Sequence, residues 1–282
     1  MNGSGWVRPG FAAFADELGD AGILRASLSD GVATLTLNRP ERRNSLTREM
    51  AHGLLRGLVV AGDDAQVRVI VLRGADGTFC AGDDVLAVDR WREGDRDAAP
   101  FDPVTSDAYY LRICEVILGA PKPVVAAVEG AAAGAGAEIV CAADYRLLST
   151  SARIGSCLVG VGHVGNVVLM SRLIGPGRAT EIYLTGRLVP AAEALAIGLA
   201  DKVVQPEDFD KELARLAEGF GQAPTRAIGL FKELRERTWG QPATTGLRLQ
   251  DAYHLRTHAE VRDSGEGLRA FTERRPPSFT GH

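Results

Sequence analysis

Basic residues do not outnumber acidic ones in this chain. Its 282 residues include 32 Lys and Arg against 36 Asp and Glu, a net charge of −4. No basic block stands out, so a nucleic-acid partner is not expected. Membrane-length apolar runs are also lacking. The nearest, "PVVAAVEGAAAGAGAEIVCAA", is interrupted by two Glu and by Gly, so no spanning helix is expected. The start, "MNGSGWVRPGFAAFADELGD", lacks the charged-then-apolar pattern of an export signal, which points to a cytoplasmic protein. Cysteines are few: Cys80, Cys114, Cys141 and Cys157. None forms a C-x-x-C, and their mostly apolar neighbours suggest buried, reduced thiols. Of five histidines, only His254 and His258 stand four apart. With no third ligand nearby they read as a solvated helix face, and no metal is expected.

What the chain does have is apolar content, 45% hydrophobic, enough for a large α/β core. "ILRASLSDGVATLTLNRP" (23–40) alternates apolar and polar around Asp30-Gly31, a hairpin signal that Pro40 ends. "SLTREMAHGLLRGLVVAGDD" follows at helical spacing, with Ser45 or Thr47 as cap and Gly62 as stop. "VRVIVLRG" (67–74), "PVVAAVEG" (123–130) and "YRLLS" (145–149) read as strands with helical patterns between them. The recurrence indicates an α/β layered fold with parallel pairing. From about residue 206 three patterns are only helical. Residues 89–107, charged and containing Pro, read as a surface loop, a candidate lid. The resulting division is an N-terminal extension (1–22), a core (23–205) and a helical C-terminal region (206–282).

The stretch "GAAAGAGAEIVCAAD" (130–144) carries the first chemical signal. A strand runs into a turn of small residues, and a helix, "AEIVCAA", begins just after. Free N–H groups at a helix start carry partial positive charge. Small residues let a ligand approach them, a geometry suited to an oxyanion or a phosphate. Glu138 falls in the first turn. It is either a carboxylate complementing the helix dipole or a general base tuned by apolar walls. The stretch alone favours neither. Gly130, Gly134 and Gly136 also resemble the nucleotide loop of short-chain dehydrogenases. Against that, the loop lies mid-chain, and no Tyr is followed four residues later by Lys.

A second Gly-centred turn, "VRVIVLRGADGTFCAGDDVL" (67–86), changes the weighing. Together with "PKPVVAAVEGAAAGAGAEIVCAADYRL" it closely resembles the crotonase superfamily, the enoyl-CoA hydratase/isomerase family. "VATLTLNRPERRNSLTREM", "LIGPGRATEIYLTGRLVPAAEALAIGLADKVV" and "FTERRPPSFTGH" match further segments in order, over roughly residues 23–282. The resemblance implies a crotonase-like spiral of β-β-α turns with a helical C-terminal trimerisation region, in a homotrimer or a dimer of trimers. It implies an acyl-CoA thioester as substrate, with no cofactor beyond the CoA the substrate carries. By motif position the N–H groups of Asp83 and Ala135 would hold the thioester oxygen and stabilise an enolate, each such donor being worth about 3 kcal/mol of barrier. Ala81, Asp83, Asp84, Val85, Ala135 and Leu158 would line the substrate. Asp84 would brace the turn, and the Asp83 side chain reads as a turn carboxylate without a chemical role. Arg42 and Arg43 are the candidates for the CoA phosphates. Arg274 and Arg275 are weaker ones, for a neighbouring subunit's CoA.

The resemblance makes Glu138 one of two glutamates used in hydration. The second belongs in F-G-x-P-E-x-G-x-G, which here reads "IGSCLVGVG". Leu158 stands at the Glu position and Cys157 at the Pro; the following I-P-G is Val164, Gly165 and Asn166. Leu158 can neither hold water nor move a proton. A lone Glu138 therefore argues for an isomerase-like or other non-hydrating reaction. His163 could supply the missing acid/base group, though an exposed or hydrogen-bonded His is the simpler reading. Asn166 could orient a carbonyl or water, or only form a turn. The alternatives are a hydratase with a non-standard second group and a noncatalytic acyl-CoA-binding relative.

Overall fold

Two short apolar strands set the layers, and their alternation shows how. The computed structural model describes residues 10–98 and 108–282. The chain begins with α1 (Phe11–Leu18), β1 (Leu24–Ser29), β2 (Val32–Leu37), α2 (Arg48–Asp63), β3 (Val69–Gly74) and α3 (Val85–Arg92). It continues with α4 (Tyr109–Gly119), β4 (Val124–Val128), β5 (Ala131–Ala133), α5 (Ala135–Ala142), β6 (Tyr145–Ser149) and β7 (Arg153–Gly155). Then come α6 (Val168–Ile174), α7 (Pro176–Thr185), β8 (Leu188–Pro190), α8 (Ala191–Ile197) and β9 (Lys202–Val204). The last helices are α9 (Phe209–Gly221), α10 (Thr225–Thr238), α11 (Ala243–Glu260) and α12 (Asp263–Glu273). In β3 and β4, Ile70, Leu72, Val124, Ala126 and Val128 face the main core, which α1, α2, α4 and α5 share. The alternate residues Val69, Val71, Val125 and Ala127 face α9, against Phe209, Leu213 and Leu216. A side chain of this size contributes about 1.5–3 kcal/mol when fully buried.

The large sheet runs β1-β2-β3-β4-β6-β9, and a smaller one runs β5-β7-β8. Only the β1–β2 hairpin is antiparallel in the large sheet. Its turn is Asp30-Gly31, both at positive φ, as the alternation predicts. The short strands form a second row: Cys80 bridges Ala132 of β5, and β5 pairs with β7. Each turn of the chain thus lays a long strand in one sheet, a short segment in the other, and then a helix. This is the expected spiral of β-β-α turns.

Several boundaries differ from expectation. Thr47, not Ser45, caps α2 by accepting from the Met50 N–H at 3.2 Å, and the helix passes Gly62 to end at Asp63. The loop expected at 89–107 begins inside α3, which Asp84 caps. Residues 99–107 of that candidate lid lie outside the described residues. Helix α5 starts at Ala135, two residues before "AEIVCAA". Phe11 and Phe14 of the N-terminal extension are buried in the main core. The C-terminal region holds four helices rather than three, and none of the described helices is long and apolar enough to cross a membrane.

Two clips fasten that region to the core. Lys232 of α10 is 2% exposed. Its Nζ donates to the carbonyls of Ile117 and Lys122 and to Asp144 Oδ2 at 2.5 Å. Arg68, just before β3, donates to Thr225 Oγ1 (2.7 Å), the Ala223 carbonyl (2.8 Å) and the Thr280 carbonyl (2.9 Å).

Candidate active site

The two small-residue turns meet where β3 and β4 hand the chain on. Residues Cys80 to Asp84 run beside the loop before α2. Leu46 donates to the Gly82 carbonyl at 2.8 Å, and Asp84 donates to the Leu46 carbonyl at 3.0 Å. In this parallel bridge Gly82 and Asp84 spend their groups on Leu46, so the Asp83 N–H points to the other side. The start of α5 lies close to this segment. A methyl at Gly82 would stand 3.5 Å from the Ala135 nitrogen. The first intrahelical bond of α5 goes from Glu138 N–H to the Gly134 carbonyl, which leaves the Ala135 N–H as a first-turn donor without an intrahelical partner. The backbone at Gly82, next to Asp83 in the chain, thus lies against the start of α5.

Local sequence explains why this approach is possible. Gly134 has φ 52° and ψ −120°, a backbone state essentially closed to side-chain-bearing residues. At Gly136 a Cβ would lie 2.4 Å from the Cys80 carbonyl oxygen, so only glycine lets α5 come this close. Asn44, fully buried, pins the adjoining loops. Its amide donates to the carbonyls of Ala75 and Thr78, and its Oδ1 accepts from Arg39 N–H. Sequence reading missed this residue, and the polar Asn inside "NRPERRNSL" was its only signal.

Every residue of α5 is buried, and Glu138 is 4% exposed. Its Oε2 accepts from Asn166 Nδ2 at 2.7 Å, and the same amide donates to the Gly134 carbonyl at 2.9 Å. Burial raises the Glu138 carboxyl above its ordinary range. The Asn166 amide and the backbone N–H groups of Asn166 and Leu169 oppose that rise. Leu158 packs against the adjoining turns: methyls at Gly134 and Gly165 would stand 3.6 and 2.6 Å from its side chain. Asn166 therefore occupies the neighbourhood in which a second carboxylate was sought.

Asp83 and Asp84 differ sharply. For Asp84, burial would raise the carboxyl, but Arg39 at 2.8 Å and the N–H groups of Leu86 and Ala87 hold it low. Asp83 is half-buried and no cation or donor among the described residues bonds its carboxylate. Burial lifts it to about 6. Tyr110, absent from the sequence-based site, belongs here. A methyl at Gly165 would stand 3.5 Å from its hydroxyl. Burial first, then the charges of Asp83 and Glu138, push that phenol to about 12. Its only sequence signal was a polar-tipped aromatic at the start of an apolar helix.

The other candidates lie outside this centre. His163 is exposed; its Nε2 is 3.4 Å from Arg92 Nη2, and its carbonyl accepts from the Tyr183 hydroxyl. Arg42 and Arg43 are exposed on the loop whose Arg43 carbonyl accepts from the Ala81 N–H. Val85, 64% exposed, opens α3. Arg275 is engaged by Glu266 and Glu273, both at 2.6 Å. Cys80, Cys114 and Cys141 are buried free thiols, whereas Cys157 is exposed, contrary to expectation, because it precedes a surface 3₁₀ turn. His254 and His258 are exposed on α11, their rings edge to face.

Known proteins resemble this chain over nearly its whole length. The 1,2-epoxyphenylacetyl-CoA isomerase of Escherichia coli K12 is 33% identical over 267 residues, covering 92% of this chain and 98% of that protein. The trans-2-decenoyl-[acyl-carrier-protein] isomerase of Streptococcus mutans is 32% identical over 272 residues, covering 90% and 97%. The crystal structure of an enoyl-CoA hydratase from Bacillus anthracis aligns with a TM-score of 0.81 at 29% identity, covering 92% and 99%. Residues 27–282 match the family model described as enoyl-CoA hydratase/isomerase. Sequence, spiral fold and paired turns lead to one conclusion: the chain belongs to the enoyl-CoA hydratase/isomerase family, the crotonase superfamily.

Proposed function

We propose that this protein acts on an acyl-CoA thioester, moving a proton along the acyl chain rather than adding water. The N–H groups of Asp83 and Ala135 receive the thioester oxygen as it gains charge. Glu138 removes the proton from C2, and the enolate forms against the paired donors. Two such donors in a dry site supply the larger share of the barrier reduction. The exposed guanidinium groups of Arg42 and Arg43 suit the CoA phosphates. No cofactor is required, because the substrate carries its own CoA. Exposed apolar residues on the C-terminal helices, among them Phe231, Leu247, Leu255 and Phe271, support association into a homotrimer or a dimer of trimers.

One observation carries the non-hydrating preference. The side chain bonded to Glu138 is the Asn166 amide, and Leu158 packs beside it. An amide neither accepts nor delivers a proton at neutral pH, so Glu138 and Asn166 cannot divide a water between base and acid. The experiment offers 3-enoyl-CoA and crotonyl-CoA esters to wild type and to Glu138→Gln. Double-bond migration in the wild type, lowered about 10²–10⁴-fold in Glu138→Gln, is the expected result. Rapid hydration of crotonyl-CoA would replace this reading with a hydratase. Binding without turnover would make the protein a noncatalytic acyl-CoA binder.

A further inference from the structure

Migration of a double bond from C3=C4 to C2=C3 breaks a C2–H bond and forms a C4–H bond. The proton count does not change and no oxidant is consumed. Glu138 accounts for one of the two proton transfers. A second group on the acyl chain's path would account for the other, and one carboxyl in the site has no structural employment.

We infer that the Asp83 carboxyl is a second acid/base group of this site, protonating the acyl chain while Glu138 deprotonates it. The inference rests on the proposed reading of the site. Asp83 carries one of the two N–H groups assigned to the thioester oxygen, so covalent geometry keeps its carboxyl within roughly 4 Å of that donor. It also lines a small cleft of mixed character whose other walls include Leu46, Thr47, Arg48, Asp84, Ala98 and Tyr109. Its neighbour Asp84 shows what a bracing carboxylate looks like: a 2.8 Å ion pair to Arg39 and a 3.1 Å bond from Leu86 N–H. Asp83 has neither kind of partner among the described residues. A half-buried carboxylate left unpaired costs stability. Such a cost is characteristic of groups held for chemistry.

The steps balance. Glu138, ionised, takes the C2 proton, and the bonding pair moves into the enolate. Asp83, protonated, gives its proton to C4 as the C3=C4 pair forms the new C–H bond and C2=C3 is made. Glu138 is then protonated and Asp83 ionised. One proton passed from Glu138 to Asp83 restores both. The Tyr110 hydroxyl lies within electrostatic reach of both carboxylates.

The test compares wild type, Asp83→Asn, Asp83→Ala and Glu138→Gln with a 3-enoyl-CoA ester in deuterated buffer. Deuterium entry at C2 and double-bond migration are followed separately, and kcat is measured against pH. In Glu138→Gln both exchange and migration are lost. In the Asp83 variants migration drops by about 10²-fold or more, C2 exchange drops far less, and the fall of kcat with rising pH disappears. Asp83→Ala supplies the comparison if Asp83→Asn fails to fold. Migration in Asp83→Asn within about 3-fold of wild type, with an unchanged pH profile, would overturn the inference. So would an equal loss of exchange and migration, which is the mark of a structural role. A wild type showing neither process defeats the underlying reading, and this inference with it. An active wild type indifferent to Asp83 defeats this inference alone.

Discussion

Asn166 governs the proton affinity of Glu138. It sits at φ 57°, 3% exposed, with its Nδ2 shared between the Glu138 carboxylate and the Gly134 carbonyl. Reversing the amide would set its oxygen against two acceptors, so this orientation is fixed. Burial drives Glu138 toward the neutral form, and the hydrogen bond from the amide draws it back most strongly. A base must be ionised, so activity falls as pH drops through the raised Glu138 value. Asn166→Gly keeps the positive φ available and removes the donor. The acid side of the pH–rate profile should then move upward. The high-pH rate should fall much less. A profile measured between about pH 5 and 9 checks this, and an unmoved acid limb refutes the role given to the amide.

At the scale of elements, the distance between α5 and the Cys80–Asp83 segment decides the site. Gly136→Ala would place a methyl 2.4 Å from the Cys80 carbonyl oxygen, prising the two N–H groups apart. We expect a loss of about 1–3 kcal/mol in stability and of at least about 10-fold in kcat. Gly219→Ala, on the exposed face of α9 with open space around it, should instead be neutral or stabilising by up to about 1 kcal/mol. Urea denaturation and steady-state kinetics compare the pair. The same scale explains what could be read from sequence. Strands β3 and β4 carry apolar residues on both faces and declare themselves. Strands β5, β7 and β8 have three residues each, too few to show a period. Helix α3 buries none of its residues, so no apolar stripe marks it among its charges. Glu138 was legible through its motif. Asn166 stayed open between orienting a ligand and forming a turn because its partner lies 28 positions away, and Tyr110 carried only a faint signal, a polar-tipped aromatic at the start of an apolar helix.

At the scale of the molecule, a few polar clips hold the C-terminal helices to the core. Asp144 follows α5 directly. It accepts from Val124 N–H, from Lys232 at 2.5 Å and from Arg235 at 3.0 Å. Asp144→Ala strands a buried ammonium and should destabilise the fold by about 3–5 kcal/mol. Adding Lys232→Met to it removes the stranded charge and should recover part of the loss, a comparison that chemical denaturation of the single and double variants decides. Arg68 extends the same logic along the chain. Its guanidinium is built in before β3, yet one of its acceptors, the Thr280 carbonyl, comes 212 residues later. On the ribosome the large sheet can therefore pair most of its strands while this corner stands open. The corner closes only after four more helices have been made. Chain order thus sets an assembly order: the acyl-binding turns are laid down early, and the fastening that steadies the sheet beneath them arrives last.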